Sequence, residues 1–202
     1  AAHVLAERGV RAGDRVASLL GKGPDLPALL LGIWRLGAVY VPLFTAFAAA
    51  TVAERIADAG VMLVVTDADQ LPKVRDLRIP VLMANTGEAA GAAADDFGAA
   101  LDAGPQWAGT TPVTGPETPI VQMATSGTTG KPKVVVHPLA YAAGWQSYVE
   151  LALAPGESYW CGADPGWAYG LYTLIIGPLA AGVPSLFTCG TFKPEATWQV
   201  LE

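Results

Sequence analysis

The residues best suited to chemistry in this 202-residue chain lie in one short run at positions 125–133. The run reads T-S-G-T-T-G-K-P-K, so four hydroxyl side chains, two glycines and two lysines fall within nine residues. Glycines allow successive backbone N–H groups to converge on one anion, hydroxyls add donors, and lysine adds a mobile positive charge. This composition predicts a loop that binds a polyphosphate.

The run differs from a Walker nucleotide loop, in which G-x-x-x-x-G-K is followed by Ser or Thr. Pro132 stands where that hydroxyl residue is required, and Gly127 and Gly130 are too close together. Because proline has no N–H and restricts the preceding residue to extended conformations, we expect a strand to leave the loop from Lys133 onward. Residue types alone leave a plain hairpin turn between two strands as the alternative.

The elements that must position this loop are strands alternating with helices. Short apolar runs predict strands at 15–20, 38–43, 61–66, 79–83, 120–124, 134–136, 158–161 and 184–187. Helical patterns occur at 26–36, 51–60, 97–101, 139–151, 171–181 and from 193 onward. Thr51 and Glu54 match a capping box at the start of the second helix, and Gly60 is its expected terminator. The alternation predicts an α/β fold with a mainly parallel sheet and flanking helices.

The stretch 85–118 has a different composition from the rest of the chain. It is rich in Ala, Gly, Thr and Pro, and its five charged residues are all acidic. It predicts a solvated connection between a first α/β half over 1–84 and a second half over 119–202, which carries the loop.

Bulk composition excludes several classes of function. A net charge of −6 gives no support for binding nucleic acid. Two cysteines and two histidines indicate neither a disulfide framework nor a zinc site, which fits a reducing cytoplasm. The uncharged stretch 165–192 is long enough for a membrane span, but glycines and prolines interrupt it, so we expect a buried helix, a turn and a strand instead.

Motifs along most of the chain resemble the motifs of one protein family. The loop S-G-T-T-G-K-P-K with the following β-run and His137 resembles the phosphate-loop signature of the adenylate-forming (AMP-binding) superfamily, although Val134 stands where many members carry glycine. The segment G-V-R-A-G-D-R-V at 9–16 resembles the family's entry motif, and R-L-G-A-V-Y-V-P-L-F at 35–44 is close to that of acetyl-CoA synthetases. The segment A-D-P-G-W-A-Y-G at 163–170 is similar to the acyl-site region of acetyl-, propionyl- and medium-chain acyl-CoA synthetases.

The resemblance implies an ATP-dependent acid–CoA ligase, of which this chain is a fragment of the large N-terminal domain. A carboxylate would attack ATP to give an acyl-adenylate and pyrophosphate, and CoA would then displace AMP. The resemblance assigns the ATP phosphates to Thr125, Ser126, Gly127, Thr128, Thr129, Gly130 and Lys133, and gives Lys133 a catalytic role as well. It assigns the acyl group of a short-to-medium-chain carboxylate to Trp167, Ala168, Tyr169 and Gly170.

The rest of the family's machinery is expected beyond position 202. The adenine and ribose motifs, the Mg²⁺-binding glutamate and the mobile C-terminal domain with its adenylation lysine come later in the family, so we expect no metal ligand here and little activity from this fragment alone. Two alternatives stay open, namely an adenylation domain of a peptide-synthetase-like system and a non-catalytic phosphate-binding module. The segments at 35–47 and 164–182 favour the acyl-CoA synthetase.

Overall fold

A β-sheet forms the centre of the computed structural model, which describes residues 1–84, 96–125, 132–154, 156–190 and 193–201. The strands are β1 Arg15–Leu19, β2 Val39–Pro42, β3 Val61–Thr66, β4 Val81–Met83, β5 Pro119–Thr125 and β6 Lys133–Pro138. They lie in the order β4-β3-β1-β2-β5-β6. Every neighbouring pair from β4 to β5 is parallel, and β6 runs antiparallel to β5. The predicted α/β fold with a mainly parallel sheet is confirmed.

Helices cover both faces of this sheet. In the described ranges they are α1 Ala2–Glu7, α2 Asp25–Arg35, α3 Ala49–Ala59, α4 Phe97–Ala103, α5 Leu139–Ala152, α6 Ala168–Leu171, α7 Gly177–Ala181 and α8 Pro194–Leu201. Successive strand residues point to opposite faces, so Val16 and Tyr40 belong to one apolar cluster, whereas Ala17 and Val41 belong to another. The first cluster includes the buried face of α2 and the second that of α3. A parallel sheet buried on both faces explains why its strands are continuous apolar runs in the sequence.

The capping box predicted at Thr51 is wrong. Helix α3 begins at Ala49 after an extended Ala48, and no side chain caps it. Because alanine is the strongest helix former, the residues before Thr51 already adopt the helical conformation and place that threonine inside the first turn. The predicted terminator is confirmed, since Gly60 adopts φ 62° and ψ 44° at the C-terminus of α3.

The uncharged stretch 165–192 contains several short elements. Helices α6 and α7 are joined by a wide π-helical segment over Tyr172–Ile176, and a short strand, β8 Ser185–Leu186, pairs in parallel with β7 Tyr159–Trp160. The predicted helix over 171–181 therefore begins three residues early and is widened in its middle. In the part of the chain that the structure describes, no helix has both the length and the hydropathy to cross a bilayer.

Candidate active site

The two ends of the phosphate loop lie side by side. Thr125 ends β5 and Lys133 begins β6, and the two residues are register partners. The Thr125 hydroxyl donates a hydrogen bond to the Lys133 carbonyl oxygen at 3.3 Å, and both residues are exposed. The predicted phosphate ligands Ser126, Gly127, Thr128, Thr129 and Gly130 lie outside the described residues.

The loop leaves the sheet at the edge where ligands usually bind. Strands β1, β2, β3 and β5 are parallel, so their carboxyl ends meet along one edge, and Thr125 is the last residue of β5. In open α/β sheets, ligands bind in the crevice outside the carboxyl ends of the strands. The position of Thr125 and Lys133 therefore agrees with the predicted phosphate site.

The segment 163–170 docks on the same edge. Asp164 accepts a hydrogen bond from the Gly166 N–H at 2.7 Å and a second from the Thr45 hydroxyl, in the loop after β2, at 3.2 Å. A Cβ atom on Gly166 would lie 2.6 Å from the Phe44 Cα, so only glycine allows this close approach. Lys73 donates to the Thr45 carbonyl oxygen and thereby secures that loop from the other side.

The two aromatic residues of the predicted acyl site have different neighbours. The Trp167 ring packs on Phe44 and Phe47, with centroid distances of 5.1 and 5.7 Å. The Tyr169 ring instead faces α5, where Trp145 lies 6.1 Å away, and its hydroxyl lies 3.4 Å from that of Tyr148. Trp167 also lines a small cavity of about 30 Å³ beside β2 and β5, where Arg55, Asp58 and Gln122 join apolar side chains; Tyr169 is not a lining residue.

The other two predicted acyl-site residues form the first turn of α6. Ala168 is half-buried, whereas Gly170 is fully buried. A Cβ atom on Gly170 would lie 2.1 Å from the Asp164 carbonyl oxygen, so the position requires glycine for packing against the backbone. The structure therefore places Gly170 beneath the turn and leaves Trp167 and Tyr169 on its exposed side.

His137 is held by a buried phenol. Its Nδ1 atom lies 2.7 Å from the Tyr172 hydroxyl, and its ring packs on Tyr141 and Tyr172. Burial lowers the pKa of His137 and raises that of Tyr172 above its ordinary range. A neutral imidazole that accepts a hydrogen bond from the Tyr172 hydroxyl fits both directions, so this histidine joins β6 to the π-helical segment Tyr172–Ile176.

This pair predicts a pH dependence of stability. The pKa of His137 is lower in the folded than in the unfolded protein, so the unfolded chain binds the proton more readily. Stability from this group is complete above the unfolded value of about 6.5 and decreases as the pH falls from there through the folded value. His137→Asn keeps an acceptor for Tyr172 without titrating, so the fall in melting temperature between about pH 7.5 and 5.5 should be smaller in the variant. Equal slopes in thermal melts of both proteins would contradict this assignment.

Sequence reasoning missed Thr45 and Tyr148. Thr45 lies in the loop after β2 and contacts a residue 119 positions away, a link that no local pattern reveals. Tyr148 did leave a signal, because Tyr141, Trp145 and Tyr148 recur at the spacing of one helix face. That pattern predicts an aromatic face on α5, and the structure places Tyr169 against it.

A polar cleft of about 390 Å³ lies at the carboxyl edge of the sheet between the loops after β1, β2 and β3 and helix α8. Its lining carries both signs of charge, from Lys22 and Lys193 and from Asp67, Asp69 and Asp164. Lys22 donates to the Gly162 carbonyl oxygen at 2.8 Å and so joins the first part of the chain to the segment before the acyl-site turn.

A mainly parallel sheet whose carboxyl edge carries the two ends of a loop sequence rich in glycine, hydroxyl and lysine residues is an arrangement typical of nucleotide-binding α/β proteins. The family model described as "AMP-binding enzyme" matches residues 1–202, and the chain belongs to this family. The predicted resemblance is thus confirmed.

Acetyl- and acyl-CoA synthetases are among the proteins to which this chain is similar. Acetyl-coenzyme A synthetase of Parvibaculum lavamentivorans is 34% identical over 229 residues, which cover 100% of this chain and 35% of the relative. The Rhodobacter capsulatus acetyl-coenzyme A synthetase is 35% identical, with 100% of this chain and 34% of the relative covered. The crystal structure of Brucella canis acyl-CoA synthetase superimposes with a TM-score of 0.88 at 36% identity, over 99% of this chain and 37% of that chain. The chain spans about a third of the length of these relatives.

Proposed function

We propose that this chain is part of an AMP-forming acid–CoA ligase that activates a short-to-medium-chain carboxylic acid. At the length of its relatives, here called the full-length protein, it adenylates the acid with ATP, releases pyrophosphate and transfers the acyl group to CoA, with release of AMP. The observation that carries the proposal is the position of the phosphate loop between Thr125 and Lys133, at the carboxyl edge of the parallel sheet.

The chemistry of the loop fits the first half-reaction. Attack of a carboxylate on the α-phosphorus concentrates negative charge on the departing pyrophosphate, so donors fixed around that group lower the barrier. Thr125 contributes a hydroxyl, and the exposed Lys133 contributes a positive charge beside it. Because β5 and β6 are paired up to these residues, the two groups start from a fixed backbone.

The acid lies, in this proposal, at the Trp167–Tyr169 segment. The Thr45–Asp164 and Gly166–Asp164 hydrogen bonds fix this turn to the same edge as the loop, which supports placing the acid near the phosphates. The rings of Phe44 and Phe47 against Trp167 provide an apolar surface that suits a hydrocarbon chain. The small side chain of Ala168, next in sequence to Tyr169, is the feature from which we infer an acid somewhat larger than acetate.

Mg²⁺, when bound with ATP, would neutralise charge on the phosphates. Among the described residues there is no cluster of three or more His, Cys, Asp or Glu side chains that could hold a metal. The role proposed for Lys133 needs only its own charge.

A carboxylate panel tests the proposed function. ATP–pyrophosphate exchange by the full-length protein should depend on added acid, with propionate, butyrate or hexanoate supporting more exchange than benzoate or an amino acid. Added CoA should yield the acyl-CoA thioester together with AMP. Exchange driven by amino acids without thioester formation would favour a peptide-synthetase-like adenylation domain, and phosphate binding without any exchange would favour a non-catalytic module.

A further inference from the structure

Two tyrosine hydroxyls meet beside the proposed acyl site. The hydroxyls of Tyr148 on α5 and Tyr169 on α6 lie 3.4 Å apart. The hydrogen bond with Tyr148 raises the pKa of Tyr169, and the pKa of Tyr159 on β7 is also raised, chiefly by burial and then by Tyr148 and Tyr169. The raised pKa values keep the phenols of Tyr159 and Tyr169 protonated at neutral pH, so each can donate a hydrogen bond.

The base and the tip of the Tyr169 side chain are held differently. At its base, the Tyr169 carbonyl oxygen accepts a hydrogen bond from the Thr173 hydroxyl at 2.7 Å. Beside the ring, Trp145 is stacked on the buried Tyr172 at 5.4 Å, so that wall is fixed. The Tyr169 side of the contact is open, because this residue is 51% exposed. The hydroxyl contact with Tyr148 is thus the restraint that links the tip of the ring to α5.

We propose that Tyr148 is a positioning residue that holds the Tyr169 ring against α5 and thereby keeps room for the longer acyl chains that the enzyme accepts. This inference rests on the proposed function, in which the acid lies along the Trp167–Tyr169 segment. A ring held on α5 forms a side wall of the acyl space. A ring released from α5 turns on its Cα–Cβ bond into the open side of the site, where it obstructs long chains more than short ones.

The proposal predicts opposite effects for two substitutions. Tyr148→Phe removes only the hydroxyl that holds the ring, so the kcat/KM ratio of hexanoate to propionate should fall about fivefold, the factor expected from one net hydrogen bond. Tyr169→Ala removes the ring itself, so the same ratio should rise by about tenfold or more, the lower range for one methylene in an apolar pocket. The Tyr148→Phe/Tyr169→Ala double variant should match Tyr169→Ala, because Tyr148 acts through the ring.

The control is Tyr141→Phe in the same helix. Tyr141 and Tyr148 are each 44% exposed, and the Tyr141 ring packs on His137 and Tyr172 and not on Tyr169. Its substitution should leave the chain-length ratio unchanged. Each variant is assayed in the full-length protein by ATP–pyrophosphate exchange with acetate, propionate, butyrate and hexanoate, so that kcat and KM are obtained for every acid.

The outcomes separate this inference from the proposed function. If none of the acids supports ATP–pyrophosphate exchange by the wild-type protein, the proposed function is overturned, and the inference with it. A wild-type protein that exchanges, combined with a Tyr148→Phe profile identical to that of wild type, overturns the inference alone. Additive effects of the two substitutions would also overturn it, since they would show that Tyr148 does not act through Tyr169.

Discussion

Replacing Lys133 with alanine in the full-length protein should lower the single-turnover rate of acyl-adenylate formation by about 10²–10³-fold, the effect of losing one group that stabilises transition-state charge. Lys133 is exposed at the first residue of β6 and lies opposite Thr125 across the strand pair, so its ammonium group is free to approach a phosphate bound by the loop. The charge it would meet develops as pyrophosphate departs and is smaller in the ground state. Carboxylate binding should therefore change much less than the rate.

Rapid-quench measurement of the acyl-adenylate, with equilibrium binding of the acid in parallel, tests this assignment. Lys131→Ala is the matched control, since it removes the same charge two residues earlier in the loop at a position that the family resemblance leaves outside the phosphate site. The control should retain nearly all of the rate. An unchanged adenylation rate in Lys133→Ala would remove this lysine from the mechanism.

The central sheet was predictable because its strands are buried on both faces. Such strands are continuous apolar runs, and the run at 61–66 has the same bounds as β3. The order of the strands in the sheet was harder to predict from the sequence. The pairing of β2 with β5 joins residues about 80 positions apart across the stretch 85–118, and no local pattern encodes which strand lies next to which.

The candidate site divides in the same way. The strand pair that flanks its loop was predictable, because Pro132 restricts the residue before it to extended conformations and an apolar run follows from Val134. The contacts that orient the segment 163–170 were not, because Thr45–Asp164 and Tyr148–Tyr169 join separate elements. Trp167 and Tyr169 show that neighbours in sequence can have different neighbours in the fold. Sequence reasoning placed them together as acyl-site residues, yet the structure packs one on Phe44 and Phe47 and the other on α5.

A methyl group at position 170 should be among the most damaging single changes in this chain. In Gly170→Ala the new Cβ would lie 2.1 Å from the Asp164 carbonyl oxygen and 2.5 Å from its carbonyl carbon, both of them backbone atoms. A flexible side chain could move aside, but here the turn itself must shift. We expect a loss of about 3 kcal/mol in stability, at the upper end for overpacking.

The same shift should impair activity because Asp164 binds both Gly166 and Thr45. Displacing its backbone loosens the turn that carries Trp167, so KM for the acid should rise even at temperatures where the variant is fully folded. Gly144→Ala is the matched control, since a Cβ at this exposed position within α5 meets no atom within 4 Å. That substitution should raise stability by about 0.8–1 kcal/mol through helix propensity. Chemical denaturation and exchange assays of both variants test the argument, and similar stability and KM in the two would show that Gly170 is not what holds the turn on Asp164.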